Sequence, residues 1–287
     1  MKIGLSVNHN QAEFNKEDYY RKCADCGLEL LEISLPGRGV EAVDFQKTVK
    51  EAEAYGIEIW SVHLQFAPFT EIDPSSLNEE LRQFTVARQS EVIRRAGAAG
   101  IRHFVVHSSG EPIPVEERRD RMEQARKSLR TLADTAAEYD AVLCVEDLPR
   151  SCLGRSSWDI RKLLEADPRL RVCFDTNHLL GEDIPDFIRK VGDKIVTTHV
   201  SDYDFWNERH LLPGEGKIDW KELYDCLSEV GYEGPWLYEV GMKAEWCVIR
   251  DRDLTPADFV KNAREIFAGQ APEPVGRMIE NMTFWKP

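Results

Sequence analysis

No stretch of this chain approaches the roughly 20 consecutive apolar residues that a membrane-spanning helix requires. The opening MKIGLSVNHN runs straight into a strand-like pattern where a signal peptide would show a charged and then an apolar segment, so a soluble cytoplasmic protein with no membrane partner is expected. Positive charge is scarce too: 37 Lys and Arg stand against 51 Asp and Glu, a formal net charge of −14. Without a long basic run such a surface repels a phosphate backbone, and nucleic acid is not an expected partner. Cysteine is sparse and odd in number, at seven, and Cys144 and Cys173 sit inside apolar strand patterns. A free thiol there behaves as a small hydrophobe, so disulfides are not expected. The C-x-x-C of Cys23 and Cys26 falls in the helical pattern DYYRKCADCGLELL, with no second pair at zinc-ribbon spacing, and reads as structural.

What is present is alternation. The 287 residues, 42% hydrophobic, suffice for one full-sized core. Eight strand-like segments (IGLSV, ELLEIS, IEIWSVHL, HFVVH, VLCVE, RVCFD, IVTTHV and PWLYEV) alternate with helical stretches near 16–26, 41–55, 77–98, 115–138, 157–166, 184–191, 219–230 and 256–267. Ser76, Ser157, Asp219 and Thr255 are candidate N-caps. An open doubly wound sheet normally has a glycine-rich phosphate loop after its first strand, and VNHNQAEF is not one. The expected α/β fold is therefore a closed (β/α)8 TIM barrel, a single domain over residues 1–268. An irregular Pro- and Gly-rich C-terminal tail over 269–287 ends near Phe284 and Trp285. That tail can pack on the barrel or on a second subunit, which leaves a homo-oligomer open.

In a parallel barrel, function gathers where strands end. Six consecutive strand-like segments end at His63, His107, Glu146, Asp175, His199 and Glu239. The loop after the sixth adds His178, and the loop SDYDFWNERHLLPGEGKIDW after the seventh adds Glu208, Arg209 and His210. Five of the seven histidines fall in this set; His9 and His103 do not. Carboxylates converging on one barrel mouth repel one another, and a divalent cation is the simplest relief for a mixed oxygen and nitrogen set. Gly214 and Gly216 are expected to turn the loop tightly, and Asp219 and Trp220 to cap and pack the following helix.

The order Glu146, Asp175-x-x-His178, His199, Glu239, with PGEGKIDW between the last two, resembles the xylose isomerase-like TIM-barrel superfamily. It is most similar to the sugar phosphate isomerase/epimerase group, which includes ketose 3-epimerases, and more distantly resembles endonuclease IV. The resemblance implies one divalent cation, Mn2+ first, with Mg2+, Co2+ or Zn2+ as alternatives, held by Glu146, Asp175, His199 and Glu239. It implies that Glu146 and Glu239 also move protons next to the carbonyl of a small sugar or sugar derivative, through an enediolate, in isomerisation or epimerisation. A sugar lyase or dehydratase shares that first step. His178 and Arg209 would hold substrate oxygens, with His63, His107 and His210 on the substrate side. The sequence departs from the ketose 3-epimerase pattern at Cys152 in VEDLPRSCLG, where a glutamate is usual. His63, His107 and Glu208-Arg209-His210 also match the ligand classes of endonuclease IV, so a multi-zinc phosphoesterase is the alternative. Phe66, Phe69, Trp206 and Trp246 lie in candidate mouth loops, as sugar-stacking groups or as loop anchors.

Overall fold

A computed structural model describes residues 1–10, 14, 17–35, 37, 39–243 and 247–280; Trp246, Phe284 and Trp285 lie outside them. Eight strands form one sheet: β1 (Ile3–Asn8), β2 (Leu30–Ser34), β3 (Glu58–His63), β4 (His103–Val106), β5 (Val142–Glu146), β6 (Arg171–Asp175), β7 (Ile195–His199) and β8 (Trp236–Tyr238). They run parallel in the order β7-β6-β5-β4-β3-β2-β1-β8. The ring closes just past β7, where Val200 bridges Tyr238 in parallel. There the Val200 N–H donates to the Leu237 carbonyl at 2.8 Å and the Glu239 N–H donates to the Val200 carbonyl at 3.1 Å. The closure bonds thus seat Glu239 beside the end of β7.

Between the strands run α1 (Glu17–Cys26), α2 (Phe45–Glu53), α3 (Glu79–Ala98), α4 (Arg118–Ala137), α5 (Ser157–Leu164), α6 (Ile184–Val191), α7 (Trp220–Glu229) and α8 (Pro256–Phe267). Their apolar stripes lie against the outer face of the sheet in the main core. The eight strand and eight helix positions expected from alternation are all present. Two helix starts differ. Asn78, not Ser76, caps α3, its Oδ1 accepting the N–H groups of Glu80 at 3.0 Å and Leu81 at 3.3 Å, while Ser76 accepts the N–H of Asn78. Ser156, not Ser157, caps α5, because the Ser157 hydroxyl is taken by Glu182 at 2.6 Å. Asp219 caps α7 as expected, and the Asp258 carboxylate accepts both the N–H and the hydroxyl of Thr255 at the start of α8.

The barrel interior is built by alternate residues of each strand. At its lower end Trp60 reaches across from β3 to β7, donating Nε1–H to Thr197 Oγ1 at 3.3 Å, and stacks on His103 with centroids 3.9 Å apart. Above it Val105, Cys144 and Cys173 form a small apolar cluster of their own. Space is tight: a Cβ on Gly4 would lie 1.9 Å from Leu30 Cδ1. All seven cysteines are free thiols. Past the barrel, β9 (Val248–Arg250) pairs antiparallel with β10 (Gly276–Met278), so the described part of the tail, residues 269–280, carries one short strand that ties it to the loop after β8. Among the described residues no helix is long and apolar enough to cross a membrane.

Candidate metal centre

Each strand end delivers its expected residue to one place. Donor atoms of Glu146, Asp175, His199 and Glu239 all lie within 4.8 Å of one another. Glu146 is the hub. Its Oε1 stands 2.8 Å from His199 Nδ1, and its Oε2 stands 3.0 Å from His63 Nε2 and 3.1 Å from His107 Nε2. His63, Glu146 and His199 form a second cluster on the same criterion, and His178, Glu208 and His210 a third. On the ring β5 and β8 stand three places apart, so Glu146 and Glu239 flank the centre without facing each other diametrically. Glu146, Asp175 and His199 are fully buried, whereas the Glu239 side chain keeps 25% of its surface exposed. The centre is closed below and open at Glu239.

The electrostatics fit a cation. Burial disfavours charge on Glu146, yet the rings of His199, His63 and His107 outweigh it and hold the carboxyl well below its usual range. Asp175 has no such surplus: burial, with Glu239 and Glu146 adding to it, pushes its carboxyl up to about 7 against the pull of His178 and His210. Its Oδ2 is also buried without a hydrogen-bond partner, whereas buried polar atoms are normally paired. An unpaired carboxylate oxygen among three other oxygen or nitrogen donors matches what a divalent cation binds. The residues present therefore fit the expected cation.

Side chains around the donors hold them in place. The Asp175 N–H donates to Asp147 Oδ1 at 2.8 Å, and His178 Nδ1 meets the Asp147 carbonyl at the same distance. His63 Nδ1 faces the Leu64 carbonyl at 3.0 Å, which turns Nε2 toward Glu146. Phe66 stacks on His107 with centroids 4.4 Å apart and so anchors a ring that faces Glu146; Phe69 packs on Gly110, and Trp206 is 77% exposed. In the loop after β7, Asp202 accepts from Tyr203 N, Gly214 N, Ile218 N and Trp220 Nε1 at 2.8 to 3.1 Å. Gly216 lies so close that a Cβ there would come within 2.3 Å of Asp202 Oδ1. This staple presents Glu208 and His210 to the mouth, and His210 is held at φ 48, a left-handed conformation uncommon outside glycine. Arg209 is placed differently from its expectation. Its guanidinium turns to Asp204 and to the Ile279 carbonyl, and its side chain is 1% exposed, so it anchors the loop after β7.

Three groups here were not expected. Glu32, on β2, is fully buried and meets His199 Nε2 at 2.9 Å. Asp147 supports Asp175 and His178 as described. Arg150 binds Glu111 and Glu208, joining the loops after β4, β5 and β7, and the thiol of Cys152 lies 3.5 Å from Glu111 Oε2. The signal for Glu32 was its spacing in ELLEIS, which puts it on one strand face with Leu30 and Ser34. For Arg150 and Glu111 no local signal exists, since their pairing depends on loop geometry.

Fold and donor set together define a (β/α)8 barrel with an acidic, histidine-lined mouth suited to a divalent cation. The chain belongs to the xylose isomerase-like TIM barrel family, whose sequence profile matches residues 20–261. Among curated relatives, an uncharacterised protein of Methanocaldococcus jannaschii is 27% identical over 191 residues, 63% of this chain and 64% of that protein. The D-psicose 3-epimerase of Enterocloster bolteae is 30% identical over 122 residues, 40% of this chain and 39% of that enzyme. The matches thus span about two thirds or less of these relatives. The crystal structure of a D-psicose 3-epimerase in the presence of D-fructose aligns with a TM-score of 0.75 at 20% identity, covering 94% of this chain and 98% of that one, a likeness of fold.

Proposed function

We propose that the protein is a divalent-metal-dependent isomerase or epimerase acting on a small sugar or sugar derivative, with Mn2+ as the first candidate cation. The observation that carries this reading is the pair of glutamates in one four-donor cluster, Glu146 enclosed and Glu239 open to the mouth. Such a pair can reach one substrate carbon from two sides. Glu146, Asp175, His199 and Glu239 would hold the cation, which would supply Lewis-acid polarisation of the substrate carbonyl.

The protein's own groups do the rest. Glu146, kept ionised by His199, His63 and His107, takes the proton from the carbon next to the carbonyl. Glu239, whose carboxyl His199 and His210 hold below its usual range, passes a proton drawn from solvent at the open mouth to the other side of that carbon. His178, His107 and His210 meet the substrate oxygens and fix which carbon faces the glutamates, while His63, its two nitrogens taken by the Leu64 carbonyl and Glu146, orients Glu146. Arg209 contributes through the loop that it anchors. The relatives' epimerase activities support the reaction class, and the polar, histidine-lined mouth supports the substrate class.

The test follows solvent deuterium into the carbon-bound position of D-psicose and related ketoses. Glu146→Gln and Glu239→Gln are each expected to slow exchange by about 10²- to 10⁴-fold, the range of a lost general acid or base. Exchange at the wild-type rate in both variants contradicts the roles assigned.

A second reading, a multi-zinc phosphoesterase, is favoured by one observation: the clusters of His63 with Glu146 and His199, and of His178 with Glu208 and His210, flank the central set. Hydrolysis of a small phosphoester with two or three zincs per chain would select it. One metal per chain, with proton exchange, selects the first.

A further inference from the structure

Below the donor set lies a carboxylate that the proposed reaction does not use. Glu32 sits in the middle of β2 with no exposed surface, and each of its oxygens is engaged. Oε1 accepts from the Ser6 hydroxyl at 2.8 Å and stands 2.9 Å from His199 Nε2; Oε2 accepts from the Ser61 hydroxyl at 2.6 Å. A buried carboxylate is costly unless paired and hydrogen-bonded. Two hydroxyls from the strands on either side of β2 fix its plane, so the carboxylate cannot turn away from the ring it meets.

His199 has its two nitrogens on opposite errands. Nδ1 faces the metal cluster, 2.8 Å from Glu146, 3.5 Å from Glu239 and 4.0 Å from Asp175. Nε2 faces away from it, onto Glu32. A histidine ligand normally gives its second nitrogen's proton to a carboxylate or carbonyl, which selects the tautomer, fixes the ring plane and raises ligand basicity. We infer that Glu32 is a positioning residue of the metal centre: it holds the Nε2 proton of His199 and so commits Nδ1 to the cation, with Ser6 and Ser61 holding Glu32 in turn. The inference rests on the four-donor reading above. It also explains why a charged residue occupies the interior of β2 in a barrel whose interior positions on β4, β5 and β6, Val105, Cys144 and Cys173, are apolar.

The experiment measures Mn2+ affinity by competition with a chelator, without substrate, for wild type, Glu32→Gln and Glu32→Leu. The glutamine keeps an oxygen that can accept the Nε2 proton and loses only charge; the leucine removes the acceptor. Affinity is expected to fall about 10-fold for Glu32→Gln and toward about 100-fold for Glu32→Leu, the span typical for the outer partner of a metal-bound histidine. In the Zn2+-loaded protein, 15N spectra of the histidine rings are expected to show His199 as the Nε2–H tautomer in wild type, and that signature is lost in Glu32→Leu. Ser61→Ala, which keeps the carboxylate and frees one of its oxygens, is expected to weaken Mn2+ binding by a smaller factor and controls for folding. Equal affinity in wild type and Glu32→Leu, or a wild-type His199 that carries its proton on Nδ1, overturns the inference alone. Absence of Mn2+ and Zn2+ binding by wild type overturns the four-donor reading and this inference with it.

Discussion

Within two residues along β4, β5 and β6, the barrel interior changes from dry to charged. Val105, Cys144 and Cys173 form an apolar cluster, and two positions further up each strand stand His107, Glu146 and Asp175. On the side of β1, β2 and β3 the change comes lower, since Ser6, Glu32 and Ser61 already form a hydrogen-bonded set below the mouth. The two sides share one backbone pattern and differ only in which residues occupy inward positions. The apolar side gives the donors a low-dielectric floor, which strengthens every interaction among them and penalises any charge left unmatched. The polar side supplies the one deep contact that His199 needs. The centre therefore depends on the floor for its electrostatics and on β2 for its orientation.

The comparison breaks most sharply at Asp175. Asp175→Asn keeps the shape but removes the charge that the cluster lacks a protein partner for, and Mn2+ affinity is expected to fall by more than the roughly 10- to 100-fold that an outer partner costs. Chelator competition reads this directly, and an affinity within threefold of wild type would remove Asp175 from the donor set. On the dry side, Val105→Thr places an unpaired hydroxyl in the apolar cluster and is expected to cost about 1 to 3 kcal/mol of stability. Urea denaturation measures it, while metal affinity should stay as in wild type. If affinity falls instead, floor and mouth are not separable as described. The smallest effect lies far from both: Asn78→Ala removes the cap of α3 and should cost about 1 kcal/mol in the same assay with no change in metal binding.

Much of this arrangement was legible in the sequence, for a physical reason. Parallel barrels are written in repeated strand and helix units, and their functional groups must stand at strand ends, so His63, Glu146, Asp175 and His199 could be read in order. What was not legible depends on neighbours distant in sequence. Glu32, one of two glutamates in ELLEIS, reads equally well as a solvated outward residue until the sheet is closed and β7 brings His199 to it across the barrel. Arg209 is expected from the sequence to hold substrate oxygens, but Asp204 in the same loop captures its guanidinium, and a motif position says nothing of which way a long side chain turns. The strand at Gly276–Met278 was hidden because its partner, β9, is as short and irregular in pattern as itself. The caps at Asn78 and Ser156 were missed by one or two residues because neighbouring serines offered the same chemistry.

Anomalous scattering from crystals grown with Mn2+ tests whether one cation is held between the ends of β5, β6, β7 and β8. A strong peak is expected, bounded by Glu146, Asp175, His199 and Glu239, with His199 contributing Nδ1. A peak elsewhere in the barrel, or none with those four side chains intact and Mn2+ present, would contradict it.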